Sequence, residues 1–234
     1  MIARFSIQGS IVLTAQFYSS YSVKQRYINT SSFLFVFLYP SMEKSAIIKF
    51  IGKNLPASQE TLVVIAEQFE DRGFIKNDFF LKVSRVSNEY LFLVDGFMRA
   101  YTQDIEGNEV TTYFFQKDSV VFEAASFFMR LPSTENIQAI TDCKGYTITF
   151  DKLNMLFHTV HEFREFGRKM LVKEFAAFKE RTLSLINKSA EERYTALVQN
   201  NPELFQHAQL KHIASFLGIT DTSLSRIRRE YSKK

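Results

Sequence analysis

At 234 residues, 46% of them hydrophobic, the chain is long enough for one medium domain and one small one, and too apolar to be largely disordered. Eight Gly, four Pro and no Trp beside 25 Phe exclude collagen-like, low-complexity and linker-dominated classes. A formal charge of +4 suits a polyanionic partner only where it is locally concentrated, and the single cysteine, Cys143, excludes an intramolecular disulfide, so a reducing, cytoplasmic setting is expected.

The first 41 residues hold three basic charges, no acidic one and no sustained helical or strand period, so residues 1–41 are expected to be an N-terminal extension, disordered or appended, ahead of a fold that begins near Met42. The apolar run Phe33–Tyr39 falls well short of the roughly 18 residues that a membrane span needs, and no membrane partner is expected.

Ile47, Ile48 and Ile51 predict a first short helix, broken at Gly52 and Pro56, and Ser58 is placed to cap a second that carries Leu62, Ile65, Ala66 and Phe69. Between Phe74 and Phe150 the period changes to that of strands, with turn signals at Asp95-Gly96, Glu106-Gly107-Asn108 and Asp142 to Gly145. That spacing predicts an antiparallel barrel or sandwich. Tyr90–Val94 and Phe97–Tyr101 are expected to form one hairpin, and Ile137–Thr141 and Tyr146–Phe150 another. Asp151 stands where an N-cap belongs, and a long helical run follows through about Asn187.

Val160, Phe163, Gly167, Met170, Leu171, Phe175 and Phe178 recur along that run every few residues as an apolar stripe. Such a stripe packs either on its own β domain or along a second copy; the dimer seam is the reading that suits presenting two DNA-reading elements together. Ser189-Ala-Glu-Glu192 is a capping box that starts a new helix, closed by Asn200, Asn201 and Pro202. The expected division is an extension at 1–41, a β domain at 42–156, a long helix at 157–187 and a small helical domain at 188–234.

The segment from Gln209 to Arg229 has the anatomy of a helix-turn-helix. Ile213 and Leu217 face inward on its first helix, Ala214 is small where the helices cross, Gly218 supplies the turn, Ile219 plugs the core, and Leu224, Ile227 and Tyr231 line the second helix. Thr220 is placed to cap the second helix and leave its amide end toward a phosphate. Helical geometry then puts Thr222, Ser225, Arg226 and Arg229 on the outer face, flanked by Ser223 and Arg228. Residues 224–234 hold five Lys or Arg against one Glu, so the positive charge is concentrated where double-stranded DNA would lie.

A β domain, a long helix and a terminal helix-turn-helix, with Ile213-Ala-Ser-Phe-Leu-Gly-Ile-Thr220, Leu224-Ser-Arg-Ile-Arg-Arg229 and Leu93-Val-Asp-Gly-Phe-Met-Arg-Ala-Tyr101, resemble the cyclic-AMP receptor protein/fumarate-nitrate reductase regulator (Crp/Fnr) superfamily of bacterial transcription regulators over residues 42–234. The resemblance implies an α+β chain: an N-terminal antiparallel jelly roll of the cyclic-nucleotide-binding kind, a long dimerisation helix, and a C-terminal helix-turn-helix domain with a reduced or absent wing. It implies a homodimer on double-stranded DNA, with RNA polymerase as a further partner. By position, Arg226 matches a guanine-reading arginine, Ser223 and Arg229 match backbone contacts, and Gln209 and Thr220 match phosphate contacts, with Lys211 beside them. Asp221 and Thr222 depart from the Arg-Glu pair of the cyclic-AMP receptor protein, so a different operator is expected.

The family's phosphate-binding cassette corresponds here to Phe122, Glu123, Ala124 and Ala125, then Ser133 and Thr134. Ser133 stands where the resemblance calls for the phosphate-neutralising arginine, and Phe122 where it calls for glycine. A lost charge-assisted contact of this kind is worth roughly 1.5–3 kcal/mol. No tight binding of cyclic AMP or cyclic GMP is therefore expected; Arg130 is the nearby alternative cation, and another small-molecule effector, or none, stays open. His158 and His161 lack a supporting ligand set, so no metal or cofactor is expected, and with no phosphate-cradling loop or nucleophile elbow present, neither is an enzyme. The alternative function is a small-molecule-sensing or interaction module whose terminal helices dock a protein.

Overall fold

A computed structural model describes residues 44–233 and, ahead of them, the backbone of two three-residue strands, β1 (Ala3–Phe5) and β2 (Ile11–Leu13), which pair antiparallel with Arg4 opposite Val12. That short pair is regular structure where no period was legible; the rest of the expected N-terminal extension lies outside the described residues. The chain divides into two compact units, residues 1–45 and 46–234.

The first two helices are α1 (Ser45–Asn54) and α2 (Gln59–Ala66). Gly52 does not break α1, which continues through Asn54. Ser58 caps α2, its hydroxyl accepting the Thr61 N–H at 3.2 Å.

Eight strands follow: β3 (Glu70–Phe74), β4 (Phe79–Leu81), β5 (Glu89–Asp95), β6 (Met98–Gln103), β7 (Glu109–Phe115), β8 (Ser119–Val121), β9 (Asn136–Ala139) and β10 (Cys143–Thr149), with the short helix α3 (Ala124–Met129) between β8 and β9. They form two antiparallel four-stranded sheets, ordered β3-β10-β5-β8 and β4-β9-β6-β7, the two-sheet arrangement expected of a jelly roll. Leu91 and Leu93 turn from β5 into the core between the sheets with Met98, Phe115, Val121 and Ile137, while Tyr90 and Phe92 turn outward to the helices. Both faces of β5 are covered, which is why its sequence reads as an unbroken apolar run.

Two expected hairpins do not form. β5 pairs with β10 and β8, whereas β6 pairs with β7 and β9, so Asp95-Gly96 carries the chain from one sheet to the other. Gly96, at φ +95°, sits so close to the next corner that a Cβ would lie 2.4 Å from the Asp142 carbonyl oxygen. The same crossing separates β9 from β10. Glu106-Gly107-Asn108 does close a hairpin, between β6 and β7, in which the Asp104 carboxylate accepts the Glu106 and Asn108 N–H groups at 2.9 Å.

The helical run after β10 is two helices, α4 (Phe150–Thr159) and α5 (His161–Asn187), separated at Val160, whose φ of −115° and ψ of 102° are extended. Thr149, not Asp151, caps α4, accepting the Lys152 N–H. Four helices complete the described residues: α6 (Ala190–Asn200), α7 (Leu204–His207), α8 (Leu210–Leu217) and α9 (Asp221–Tyr231). The capping box is fully formed, with the Glu192 N–H donated to the Ser189 hydroxyl and the Ser189 N–H to the Glu192 carboxylate. Among the described residues no strand follows α9, and no helix is long and apolar enough to cross a membrane.

Candidate nucleic-acid interface

α8 and α9 make the expected two-helix unit. Ile213, Ala214, Leu217, Leu224 and Ile227 are buried together with Tyr194 and Leu204, and the Tyr194 and Tyr231 rings meet edge-on at 5.4 Å. Gly218 takes the left-handed conformation, and the Ile219 N–H returns to the Ala214 carbonyl at 3.0 Å to close the turn. Thr220 caps α9, its hydroxyl accepting the Ser223 N–H at 3.2 Å and donating to the Ser223 hydroxyl at 3.0 Å.

With Leu224 and Ile227 buried, Thr222, Ser225, Arg226, Arg228 and Arg229 are exposed, and so are Gln209, Lys211 and Thr220; Ser223 is half-buried. None of the ion pairs of the described residues engages Arg226, Arg228 or Arg229. Gln209 stands at the N-cap of α8 without a side-chain capping bond, which leaves its amide free for another partner. The outer face therefore carries donors of the kind that reach base edges and phosphates.

The unit is fastened to the jelly roll by contacts that the sequence did not reveal. The Ser215 hydroxyl accepts the Thr111 N–H at 3.1 Å, and Asn201 donates to Gln116 at 3.1 Å. Arg181 of α5 donates to the Thr112 carbonyl at 3.2 Å and the Phe216 carbonyl at 3.0 Å, with its guanidinium 4.0 Å over the Phe216 ring. Phe97 and Ile140 of the jelly roll belong to the same core as Ile213 and Leu224. His212 is buried beside Arg99 and Glu109, and burial, assisted by the Arg99 and Lys211 charges and opposed by Glu109 and Asp221, lowers its pKa to about 4. Its approach to the Glu109 carboxylate at 3.9 Å is accordingly a neutral contact near pH 7.

The cassette residues are spent on their own loop. Glu123 caps α3, its carboxylate accepting the Ala125 and Ser126 N–H groups at 3.1 and 2.6 Å. The Phe122 ring packs on Tyr90 at 5.2 Å, and Ala124 is exposed beside half-buried Ala125. Ser133 is buried, its hydroxyl donating to the Glu135 carbonyl at 2.8 Å, and Thr134 is exposed with its carbonyl held by Thr102. Arg130 donates to the Ser87 and Phe127 carbonyls and to Asn88 and lies over the Phe150 ring, so it is committed elsewhere. Burial raises the pKa of the Glu135 carboxyl nearby, the Thr112 hydroxyl opposing and the Glu123 charge reinforcing.

The expected seam divides into two parts. Phe163 and Met170 are 1% and 8% exposed, packed into the core with α1 and the β5 face, and so are unavailable to a partner. Gly167 lies against Phe157 of α4, where a Cβ would come within 2.4 Å of the ring, and Val160 is the break between α4 and α5. Leu171, Phe175 and Phe178 remain exposed, the two phenylalanines at 68% and 65%. Met170 and Leu171, neighbours roughly 100° apart on the helix, mark where the apolar stripe passes from the inner face to the outer. His158 and His161 are exposed, and no metal-holding group of side chains occurs among the described residues.

No family model and no curated protein sequence matches the chain. Solved structures do. FixK2 from Bradyrhizobium japonicum superposes with a TM-score of 0.62 at 17% identity, over 70% of this chain and 85% of that one. A protein from Eubacterium rectale assigned to the Crp/Fnr family of transcriptional regulators gives 0.60 at 15% identity, over 76% and 84%. A mutant of CooA from Carboxydothermus hydrogenoformans gives 0.57 at 18% identity, over 73% and 78%. At such identities the likeness is one of fold, and the fold of this chain is that of the Crp/Fnr transcription regulators.

Proposed function

We propose that this chain is a sequence-specific DNA-binding transcription regulator that acts as a homodimer and does not respond to cyclic nucleotides. The observation that carries the reading is the outer face of α9, where Thr222, Ser225, Arg226 and Arg229 stand exposed, the arginines in no ion pair among the described residues, behind a Thr220-capped N-terminus. The fold shared with transcription regulators supports it. Exposed Leu171, Phe175 and Phe178 support a helix-to-helix dimer, because an apolar stripe of this size loses hydration cost when a second copy covers it. Glu123 engaged in its cap, Glu135 beside it and Ser133 in place of a cation support an unresponsive cyclic-nucleotide site.

In this reading residues 42–156 sense, 157–187 pair the copies and 188–234 read DNA, with 1–41 as an extension. A small molecule of another class remains open as effector, and RNA polymerase as the downstream partner. Fluorescence anisotropy of the chain on duplex DNA tests the reading: regulators bind with an affinity that falls steeply as salt rises. A protein-docking module shows no such binding, and that outcome would overturn the assignment.

A further inference from the structure

A cleft of about 510 Å³ lies where the β7–β8 edge of the jelly roll, the C-terminal half of α5 and the helix-turn-helix unit meet. That volume falls within the range of small-molecule sites, and junctions between structural units are where such sites concentrate. None of residues 122–134 lines it, so it is separate from the cassette. Five Lys or Arg side chains line it against three carboxylates, and of these Glu174 already accepts a hydrogen bond from the Tyr113 hydroxyl.

Arg181 of α5 and Arg193 of α6, both lining the cleft, have no carboxylate partner among the described residues. Arg193 donates only to carbonyls, to Leu217 at 2.9 and 3.1 Å and to Lys188 at 2.6 Å. Arg181 donates through Nε and one amino group to Thr112 and Phe216, and its second amino group, Nη1, has no protein partner among the described residues. Burial and the neighbouring charge of Arg193 both lower the Arg181 pKa, as expected of two cations that lack an anion between them. The apolar walls include Phe97, Phe114, Leu197 and Phe216.

We propose that this cleft binds a small organic anion, its carboxylate or phosphate seated on Arg181 and Arg193 and its apolar body against Phe114 and Leu197. Both guanidinium groups also hold the last carbonyls of α8, Phe216 and Leu217, immediately before the turn at Gly218. An oxyanion competes with those carbonyls for the same donors. Occupancy therefore loosens the grip of α5 and α6 on the turn that aims α9. The binding step stands on the cleft alone; its effect on DNA rests on the function proposed above.

Isothermal titration of the full chain with phenyl phosphate and, separately, with benzoate tests the site and distinguishes the two head groups, with sodium sulfate at equal ionic strength as control. One aromatic anion binds saturably at one per chain, and Arg193→Gln weakens it by roughly 10–100-fold, the worth of a charge-assisted contact. Arg193→Lys keeps part of the affinity. Ala177→Trp, on the cleft wall but off the exposed stripe, abolishes binding with both arginines in place. Circular dichroism melts confirm that each variant is folded. Absence of saturable heat from both probes, or binding by Arg193→Gln and Ala177→Trp equal to that of the parent, overturns the site. Saturating probe is further expected to change duplex affinity in anisotropy at least about fivefold, near 1 kcal/mol of coupling. Binding without that change overturns the effector role, whereas loss of all DNA binding with probe binding intact counts against the function and leaves the site standing.

Discussion

The Ser215 hydroxyl accepts the backbone N–H of Thr111 at 3.1 Å, across 104 residues of sequence. β7 is the outer strand of its sheet, and α8 lies on it where a further strand would otherwise pair. Ser215 also meets the Thr111 hydroxyl at 3.2 Å, so one side chain satisfies two polar groups of a fully buried residue. Ser215→Ala leaves the Thr111 N–H buried without an acceptor and is expected to lower stability by about 1–3 kcal/mol in urea unfolding. A change below the error of the measurement would show that water reaches this junction.

His212 gives the same junction a pH dependence. Its pKa lies near 4 when folded, against an ordinary value of 6.5, so the unfolded chain binds the proton more readily. Stability from this group is complete above about pH 6.5 and declines as pH falls toward 4, by no more than about 2–3 kcal/mol. Unfolding midpoints of His212→Gln, measured across that window, are expected to fall less than those of the parent. Parallel curves would remove His212 as the cause.

The outer half of the α5 stripe predicts the assembly state. Phe175→Glu with Phe178→Glu places charge on an exposed face that contributes nothing to the monomer core, so the doubly changed chain is expected to stay folded and sediment as a monomer. Phe163→Ala should instead lower stability by about 3–5 kcal/mol, because its ring stacks between Phe157 and Phe166 in the core. An unchanged sedimentation coefficient in the double variant would remove the outer α5 stripe as a contact between copies.

Calorimetric titration with cyclic AMP and cyclic GMP is expected to show no low-micromolar binding. Replacing Ser133 by Arg supplies the missing cation, yet the Glu123 carboxylate stays bonded to the α3 N–H groups and is not free to take a ribose hydroxyl. Ser133→Arg alone is therefore expected to leave binding undetected. Tight binding by either form would mean that the α3 loop rearranges.

Local chemistry was legible in the sequence at several positions whose deciding partners lie within one turn, though not at Asp151, where Thr149 two residues earlier takes the cap. The Ser189 and Glu192 capping box, the Ser58 cap and the left-handed Gly218 between two apolar helical stripes all formed as read. The turn at Asp95-Gly96 also has the positive φ that its residues favour, but turn chemistry does not say which sheet the next strand joins, and both expected hairpins were lost to that long-range choice. Apolar spacing marked Phe163 and Phe175 alike, since it cannot separate a side chain covered by its own fold from one left uncovered. Nothing in the sequence marks Arg181; only the folded chain brings the Thr112 and Phe216 carbonyls to it.

On the proposed reading, the face of α9 makes two kinds of contact that one assay can resolve. Arg226 sits on the outermost line of the helix with Thr222 and Arg229, opposite buried Leu224 and Ile227. A side chain that reads a base edge discriminates by roughly 1–3 kcal/mol at one position, whereas one that contacts phosphate weakens all sequences alike and reduces the salt dependence by about one counterion. Arg226→Ala is thus expected to relax preference at one base pair in each half-site, with a nearly unchanged salt slope. Arg229→Ala is expected to weaken selected and random duplexes equally and to flatten the slope. Anisotropy titrations of both variants on both duplexes at rising salt measure this directly. Negligible effects from both would remove α9 as the reading helix, since no other exposed, unpaired pair of arginines lies on that face among the described residues.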